Sequence, residues 1–448
     1  MNDIRFTKTN GGMARTTASE DPISALIIPL RDADVIAPAH EFKEIIEDEL
    51  WIAKFQYAEQ LKEMGLEYEE LVTEVRTAAA VDQTTATGYA NNYKSASAIN
   101  ALVYHVSEFF RMNPNGTLYV GITSDGSDIP ASYITDIQKF ANGKIRQVGI
   151  LTPSLTNLAG YQTEATSLER DHMPLSIVVA PSGFTHTVTG TAASSANTDG
   201  EYVNTVTVTA EAVNDLKKNT LKAAANTMVA NGKFNVSVLI GCDRDQALGD
   251  KLGTYEYYGC IGTCLGAISK AAVNECIAWV QKFPIGLKEP GLISGEKINT
   301  VSTADQNDLN ANHLIFVRTH VGVTDCYFND SWTLDLDTSD YAYIESVRTI
   351  DKACRGVRAN LLPYLNSPLK VDAETGKLAQ STVAFLQATA SRALDDMEKA
   401  DELSGYVVEI DPEQNVLATS TLQVVIRQVP MGVMRNVSIK IGFTTAIG

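Results

Sequence analysis

The sequence TLQVVIRQVPMGVMRNVSIKIGF, residues 421–443, contains two segments in which apolar and polar residues alternate, separated by Pro430-Met431-Gly432. Alternation with a period of two is typical of a strand that has one buried face. In the second segment this face would consist of Val437, Ile439, Ile441 and Phe443. It must be covered either by the chain's own sheet or by the sheet edge of a neighbouring molecule.

The elements predicted before these two strands follow a definite order. HLIFVR at 313–318 is predicted to be a buried strand, and TDCYFNDSW at 324–332 a short strand with a turn. Two long amphipathic helices are predicted over 340–366 and 379–405. GYVVEID at 405–411 is predicted to be the strand that leads to the two alternating segments.

This order resembles the C-terminal domain of contractile tail sheath proteins, from bacteriophages and from related bacterial contractile injection systems. The resemblance covers roughly residues 305–448. It departs from the family at VGVTDCYFNDSW, where sheaths usually have a Gly-rich segment that contains Trp. The matching pieces are LNANHLIFVRT at 309–319, DYAYI at 340–344, VRTI at 347–350, and Val429-Pro430.

The resemblance implies an α/β fold with an α+β C-terminal domain. The expected architecture is a multi-domain, tail-sheath-like fold with a helix-covered mixed sheet, an inserted β-hairpin region and extended terminal arms. The predicted segments are an N-terminal arm at 1–22, a core part with a long acidic helix at 23–95, an outer α/β domain at 96–304, a C-terminal sheath domain at 305–432 and a C-terminal arm strand at 433–448.

The resemblance also implies a function. Copies of the chain are expected to polymerise helically around a tail tube and to contract, driving the tube through the envelope of a target cell. The implied partners are other copies, the tail tube protein, and the baseplate and tail terminator proteins. The implied location is a virion tail or an injection particle that is assembled in the bacterial cytoplasm.

Two groups of residues are expected to make contacts in such an assembly. The arm strand would insert beside a strand of a neighbouring subunit, and a basic helix would suit an acidic face of the tube or of another subunit. The expected intersubunit strand residues are Val433, Val437, Ile439, Ile441 and Phe443. The candidate tube or subunit contacts are Arg348, Lys352, Arg355 and Arg358.

Short apolar segments alternate with amphipathic helices through the first two thirds of the chain. This pattern predicts βαβ units and a mainly parallel sheet that is covered on both faces. Two Thr/Val-rich segments around a polar turn, at 184–209, predict an inserted β-hairpin. The predicted strands are 25–30, 117–122, 147–152, 174–180 and 235–241, and the predicted helices are 96–111, 132–142, 212–230 and 261–282.

A long acidic helix is predicted over residues 40–63. Eleven acidic and four basic residues lie between Glu41 and Arg76, a ratio typical of a solvated helix face. The helical spacing rests on Phe42, Ile45, Ile46, Leu50, Ala53 and Tyr57.

The composition argues against several classes of partner. The chain of 448 residues has a formal net charge of −18, which disfavours nucleic acid and anionic membranes, since both need basic surfaces. No apolar run reaches the length of about 18 residues that a membrane span requires. The N-terminal sequence MNDIRFTKTNGGMARTT has no apolar core, so Sec export is not expected.

No residue pattern predicts a catalytic, cofactor-binding or metal site. The six cysteines and six histidines lack the spacing of a zinc site or a catalytic pair, and we interpret the cysteines as buried free thiols. The glycines of GCIGTCLGA, 259–267, predict close helix packing rather than a phosphate loop. The acidic segment TLDLDTSDY, 333–341, predicts a helix start with Ser339 or Asp340 as the cap.

Two alternatives to a sheath remain open at this point. The first is a doubly wound α/β enzyme with a ligand at the carboxyl edge of its sheet. The second is another structural virion protein, such as a capsid or baseplate component, which would not need strand exchange between subunits.

Overall fold

A computed structural model describes ten ranges of the chain. Only the backbone is described for 43–45, 184–191 and 205–212. Residues 1–18 of the predicted N-terminal arm, residues 444–448 and most of the helix predicted over 212–230 lie outside the described part. The described ranges are 19–29, 43–45, 50–57, 101–123, 129–152, 155–181, 184–191, 205–212, 227–246 and 259–443.

The described strands and helices are numbered here in chain order. The strands are β1 Ile23–Pro29, β2 Lys43–Ile45, β3 Leu50–Phe55, β4 Thr117–Thr123, β5 Gln147–Thr152, β6 Ser176–Pro181, β7 Phe184–Thr191, β8 Thr205–Ala212, β9 Val236–Leu239, β10 Gly241–Asp243, β11 Pro290–Leu292, β12 Leu314–Ile315, β13 Val317–Thr319, β14 Cys326–Phe328, β15 Leu403–Glu409 and β16 Val425–Pro430. The helices are α1 at residues 101–112, α2 Ser132–Phe140, α3 Leu158–Arg170, α4 Ile261–Lys270, α5 Thr303–Ala311, α6 Ile344–Leu361, α7 Gln380–Lys399 and α8 Val416–Thr419.

An eight-stranded sheet forms the body of the protein, in the order β12-β9-β6-β5-β1-β4-β3-β2. The six strands from β12 to β4 pair in parallel, and β3 and β2 continue the sheet in antiparallel fashion. The predicted mainly parallel sheet is therefore confirmed. The sheet draws strands from residues 23–55, 117–239 and 314–315, so it crosses the segment boundaries predicted near residues 95 and 304.

Helices cover both faces of this sheet, because each central strand is apolar on both sides. In β1, Leu26 and Ile28 belong to one core cluster, whereas Ala25 and Ile27 belong to the other. Residues of α1 and α4 fill the first cluster, and residues of α2, α3 and α5 contribute to the second. The predicted hairpin is also confirmed, since β7 pairs antiparallel with β8.

The acidic helix predicted over 40–63 is wrong, because the described residues of this region form β2 and β3. Leu50, Ile52 and Phe55 are buried, and β3 pairs antiparallel with β4 along its whole length. The apolar spacing fitted a helix, but pairing with a strand more than sixty residues away determines the conformation.

Other helices also differ from the sequence-based expectation. The helix predicted over 261–282 ends at Lys270, where Ala271 turns to an extended conformation with ψ of 138°. Arg348 donates hydrogen bonds to the carbonyl oxygens of Ala271 and Ala272, which replaces bonds that a longer helix would supply. Helices α3, α5 and α8 were not predicted.

The glycines of α4 permit a close contact with α1, as predicted. A Cβ atom on Gly262 would lie 2.1 Å from the carbonyl oxygen of His105, and one on Gly266 would lie 2.7 Å from that of Phe109. Both neighbours are backbone atoms, which cannot rotate away. The segment 259–267 is therefore a helix-packing surface.

The C-terminal region consists of a helical hairpin, α6 and α7, and the antiparallel pair β15 and β16. Both predicted helices are confirmed, with α6 followed by a 3₁₀ turn at Leu362–Tyr364. The predicted cap is wrong, because α6 begins after Tyr343 without a side-chain cap. Ser339 instead donates a hydrogen bond to the buried carboxylate of Asp335.

Candidate interaction site at the C-terminal arm

Residues 431–443, here called the C-terminal arm, follow β16 and form no strand within the described chain. Val437 is 64 % exposed, Ile439 79 %, Ile441 96 % and Phe443 fully exposed. In an extended conformation these four side chains would share one face. A row of large apolar side chains in water marks an interaction site, so the arm is the principal candidate.

The sheet from which the arm departs has two strands, so β15 and β16 each leave one edge unpaired among the described residues. Tyr406, Val408 and Ile426 on its inner face pack against the cluster formed by α6 and α7. On its outer face Val407 and Val429 are exposed. Unpaired edges present free N–H and C=O groups that can accept an additional strand.

One residue fixes the base of the arm to the body. The guanidinium Nε of Arg435 lies 3.1 Å from both carboxylate oxygens of Asp330, and a terminal nitrogen of the same group donates to Glu345. Both acids are largely buried. Charge-assisted contacts of this kind are stronger than neutral hydrogen bonds and fix a direction as well as a distance. We call Arg435, Asp330 and Glu345 the C-terminal clamp.

The clamp rests on a stack of aromatic rings that reaches the central sheet. The Arg435 guanidinium carbon lies 3.3 Å from the ring centre of Tyr343, whose ring is 4.5 Å from that of Trp332. Trp332 stacks in turn on His313 at 4.1 Å with an angle of 10°. Since His313 directly precedes β12, the arm base is connected by contact to the edge of the eight-stranded sheet.

Charge and burial act against each other within the clamp. Burial raises the pKa of Glu345, while the positive charge of Arg435 opposes this shift. Burial lowers the pKa of Arg435, but the charges of Glu345 and Asp330 outweigh it and hold the pKa above its ordinary value. Removing Arg435 would therefore leave two buried acids without their cation, which is more costly than losing an exposed ion pair.

A second clamp holds residues 19–22, here called the N-terminal root. Asp21 accepts from Lys352 at 2.8 Å and from Arg355 at 3.0 Å, and both donors lie on α6. Burial alone would raise the pKa of Asp21, but the contact with Lys352 and the neighbouring charges lower it below its ordinary value. We call Asp21, Lys352 and Arg355 the N-terminal clamp.

The four basic residues predicted to contact the tube or a subunit have different positions on α6. Arg348 is buried, and burial lowers its pKa to about 10. Lys352 and Arg355 belong to the N-terminal clamp, and Lys352 also contacts Glu402 at 2.6 Å. Arg358 is exposed. Within this chain, three of the four therefore make internal contacts.

The sequence contained a signal for the C-terminal clamp that the prediction did not use. Arg435 occupies an odd-numbered position between Val433 and Val437, on the face that is otherwise apolar. A charged residue on the apolar face of a strand needs a buried partner of opposite charge. Asp330 and Glu345 could not be identified as that partner, because they lie 105 and 90 residues away in sequence.

The described ranges show neither a metal site nor a membrane-spanning helix. No group of three or more His, Cys, Asp or Glu in those ranges is placed to hold a metal ion. None of the described helices is both long enough and apolar enough to cross a membrane. All six cysteines are unpaired; five of them are buried as predicted, whereas Cys354 is exposed.

The fold is shared with solved sheath structures. The helical sheath of the anti-feeding prophage in its contracted state is 14 % identical and covers 99 % of both chains with a TM-score of 0.56. A chain of the baseplate of the same prophage is 12 % identical and covers 100 % of this chain and 99 % of that one, with a TM-score of 0.55. The contracted sheath complex of the extracellular contractile injection system PVC is 12 % identical, with 99 % coverage of both chains and a TM-score of 0.53.

These likenesses confirm the sheath-like fold, which the resemblance had predicted from the C-terminal third alone, and extend it over the whole chain. A comparison with curated proteins finds no match. Two family models match the sequence: the N-terminal domain of DUF2586 over residues 68–332 and its C-terminal domain over residues 340–448. The chain belongs to the DUF2586 family.

Proposed function

We propose that the protein is the subunit of a contractile sheath, in which copies polymerise helically around a tube and contract to drive it through a target envelope. The observation that carries this proposal is the C-terminal arm, whose four large apolar side chains are exposed and which follows a two-stranded sheet with edges that no described residue pairs. The likeness to sheath structures supports it.

The arm and the sheet are complementary as donor and acceptor. An arm from one copy would add a strand to β15 or β16 of the next, and its main-chain groups would pair with the unpaired edge. Its apolar face would extend the inner face of the sheet, which lies on α6 and α7. Two unpaired edges can accept two strands, one from a C-terminal arm and one from the N-terminal arm at residues 1–22.

Such a contact is heterologous, because donor and acceptor surfaces differ. When a heterologous contact does not close into a ring, its repetition along a screw axis generates a filament, which is the arrangement proposed here. Contraction would then be a rigid-body rotation of subunits into a tighter packing, with the arms as the flexible connections. This mechanism requires no catalytic residue, and we propose no enzymatic activity.

The remaining partners follow from the same proposal. A sheath contacts a tube along its inner wall and ends at baseplate and terminator proteins, so these are the proposed partners. Arg358, exposed on α6, is the proposed contact to an acidic neighbour. The proposed location is a virion tail or an injection particle assembled in the bacterial cytoplasm. A nucleic-acid partner is not proposed, given the net charge of −18.

Three chains test the proposal: the intact protein, a chain that ends at Asn436 and a chain that ends at Met431. The chain ending at Asn436 retains Arg435 and hence the C-terminal clamp, but lacks the apolar row. Negative-stain electron microscopy and sedimentation should find long hollow sleeves for the intact chain and discrete particles for both shorter chains.

Thermal unfolding provides the control for these chains. The chain ending at Asn436 should unfold at the temperature of the intact subunit, since residues 437–443, which it lacks, are exposed. The chain ending at Met431 should unfold earlier, because Asp330 and Glu345 lose their cation. Compact monomers from all three chains would overturn the proposal, and sleeves from all three would overturn the role of the C-terminal arm in it.

A further inference from the structure

Helix α6 contacts both terminal segments along one stripe. Glu345, Arg348, Lys352 and Arg355 are spaced by three, four and three residues, so they lie on the same side of the helix. Glu345 belongs to the C-terminal clamp, and Lys352 and Arg355 belong to the N-terminal clamp. The helix positions that hold the base of the C-terminal arm and the N-terminal root therefore lie roughly 10–15 Å apart along the helix axis.

The residue between the two clamps anchors the stripe to the body. Arg348 is buried and donates to the carbonyl oxygens of Ala271 at 3.1 Å and Ala272 at 3.2 Å, directly after α4. Because α4 packs against α1 through its glycines and against Gly149 of β5 through Ile261 and Leu265, α6 cannot slide without breaking these bonds. An anchored helix with a charged clamp on either side of the anchor forms one rigid connection between the two segments.

We infer that this stripe of α6 is a mechanical link that holds the base of the C-terminal arm and the N-terminal root in one fixed relation. Displacement of one segment by a neighbouring molecule would be passed through the helix to the other. The inference rests on the proposed function only in that the neighbours are further copies of this chain. The fixed relation itself is a property of the single subunit.

The experiment measures the distance between the two segments in the unassembled full-length chain. Spin labels are attached at Ser19→Cys and Asn436→Cys, both exposed, in a background in which Cys354 is replaced by serine. Double electron–electron resonance should give one narrow distance distribution. Arg435→Gln should make this distribution about twofold wider, because a short segment released from its clamp samples many positions. Asp21→Asn should do the same when combined with Glu20→Gln, which also removes the ion pair of Glu20 with Arg146.

The matched control is Arg427→Gln. Arg427 lies eight residues before Arg435 and pairs with Glu409, but both partners of this pair are exposed. Its removal should leave the distribution unchanged. A broad distribution in the unsubstituted chain would overturn the inference, as would clamp variants whose distributions are as narrow as that of the control.

Arg435→Gln leaves two buried acids unpaired and could unfold the chain. The variant Asp330→Asn, Glu345→Gln, Arg435→Gln has nearly the same volume without the unpaired charges, and it should show the same broadening while remaining folded. Because these measurements use single subunits, they are independent of sleeve formation. Narrow distances in a chain that forms no sleeves would refute the proposed function alone, and sleeves with broad distances would refute this link alone.

Discussion

Replacing Ile439 with aspartate tests whether the exposed apolar row of the arm drives assembly. Ile439 is 79 % exposed in the single subunit, so most of its apolar surface is available for burial against a neighbour. Burying a side chain of this size contributes about 2–3 kcal/mol. Aspartate loses this contribution and must also be desolvated, so each junction between copies should weaken by at least about 3 kcal/mol.

The consequence is a measurable shift in the critical concentration for assembly. A loss of about 3 kcal/mol corresponds to an equilibrium constant that is more than about 100-fold smaller. Since each added subunit forms one such junction, the concentration of unassembled chain in a sedimentation assay should rise by at least about 100-fold. The unfolding free energy of the single subunit should change by less than about 0.5 kcal/mol, as for exposed positions in general.

Ser438→Asp is the matched control, because it introduces the same charge one position away on the opposite face of the strand. Its critical concentration should remain within about threefold of the unsubstituted chain, as expected for a solvated rim position. Equal effects of the two variants would mean that charge alone, and not the apolar row, opposes assembly. An Ile439→Asp chain that assembles at the normal concentration would refute the reasoning.

Three further predictions concern the body of the protein. Gly262→Ala should lower the unfolding free energy by about 3 kcal/mol or more in urea titrations, because its Cβ atom would overlap the backbone of His105. Gly405→Ala is the control: its Cβ atom would have no neighbour within 4 Å, so the unfolding free energy should change by less than about 1 kcal/mol. Burial raises the pKa of Asp351 to about 7 from 3.8, so its contribution to stability is present at low pH and is lost as the pH rises through about 7. Asp351→Asn should therefore match the parent chain near pH 4 and exceed it by up to about 4 kcal/mol at pH 8, and a variant that shows no pH-dependent gain would contradict this. A water-soluble disulfide reagent should modify Cys354 in the native chain and the other five thiols only after unfolding; fast reaction of more than one thiol would be the contrary result.

The central sheet could be predicted from sequence because its strands are short apolar segments between helices. QVGILT at 147–152 was predicted with the bounds that the structure has. In contrast, LWIAKF in β3 is also a short apolar segment, but it follows an acidic run, and the apolar residues of both together have helical spacing. Only the pairing of β3 with β4 distinguishes a strand from a helix at these residues, and the two strands are far apart in sequence.

The candidate interaction site could likewise be predicted from sequence only in part. Alternation over 433–443 predicts an apolar face, and the exposure of these residues in the single chain agrees with a face that needs a partner. The two clamps could not be predicted, since Asp21 meets Arg355 across 334 residues of sequence. The helical stripe of basic residues was visible, but whether a cation on it faces a neighbour or an internal acid depends on tertiary structure.

The charge of the chain explains why its assembly would depend on strands rather than on ion pairs. Each copy carries a net charge of −18, so a sleeve of many copies brings like charges together and opposes its own growth. Residues 431–448 contain two basic residues, Arg435 and Lys440, and no acidic residue. Arg435 is neutralised at the arm base, whereas Lys440 remains exposed on the polar face. The arm is thus the segment that can approach an acidic neighbour without repulsion.

Main-chain hydrogen bonds and apolar contacts then supply an attraction that salt screens little, while the repulsion between the acidic bodies of the subunits weakens with ionic strength. Assembly through the arm should therefore strengthen, not weaken, as salt is added.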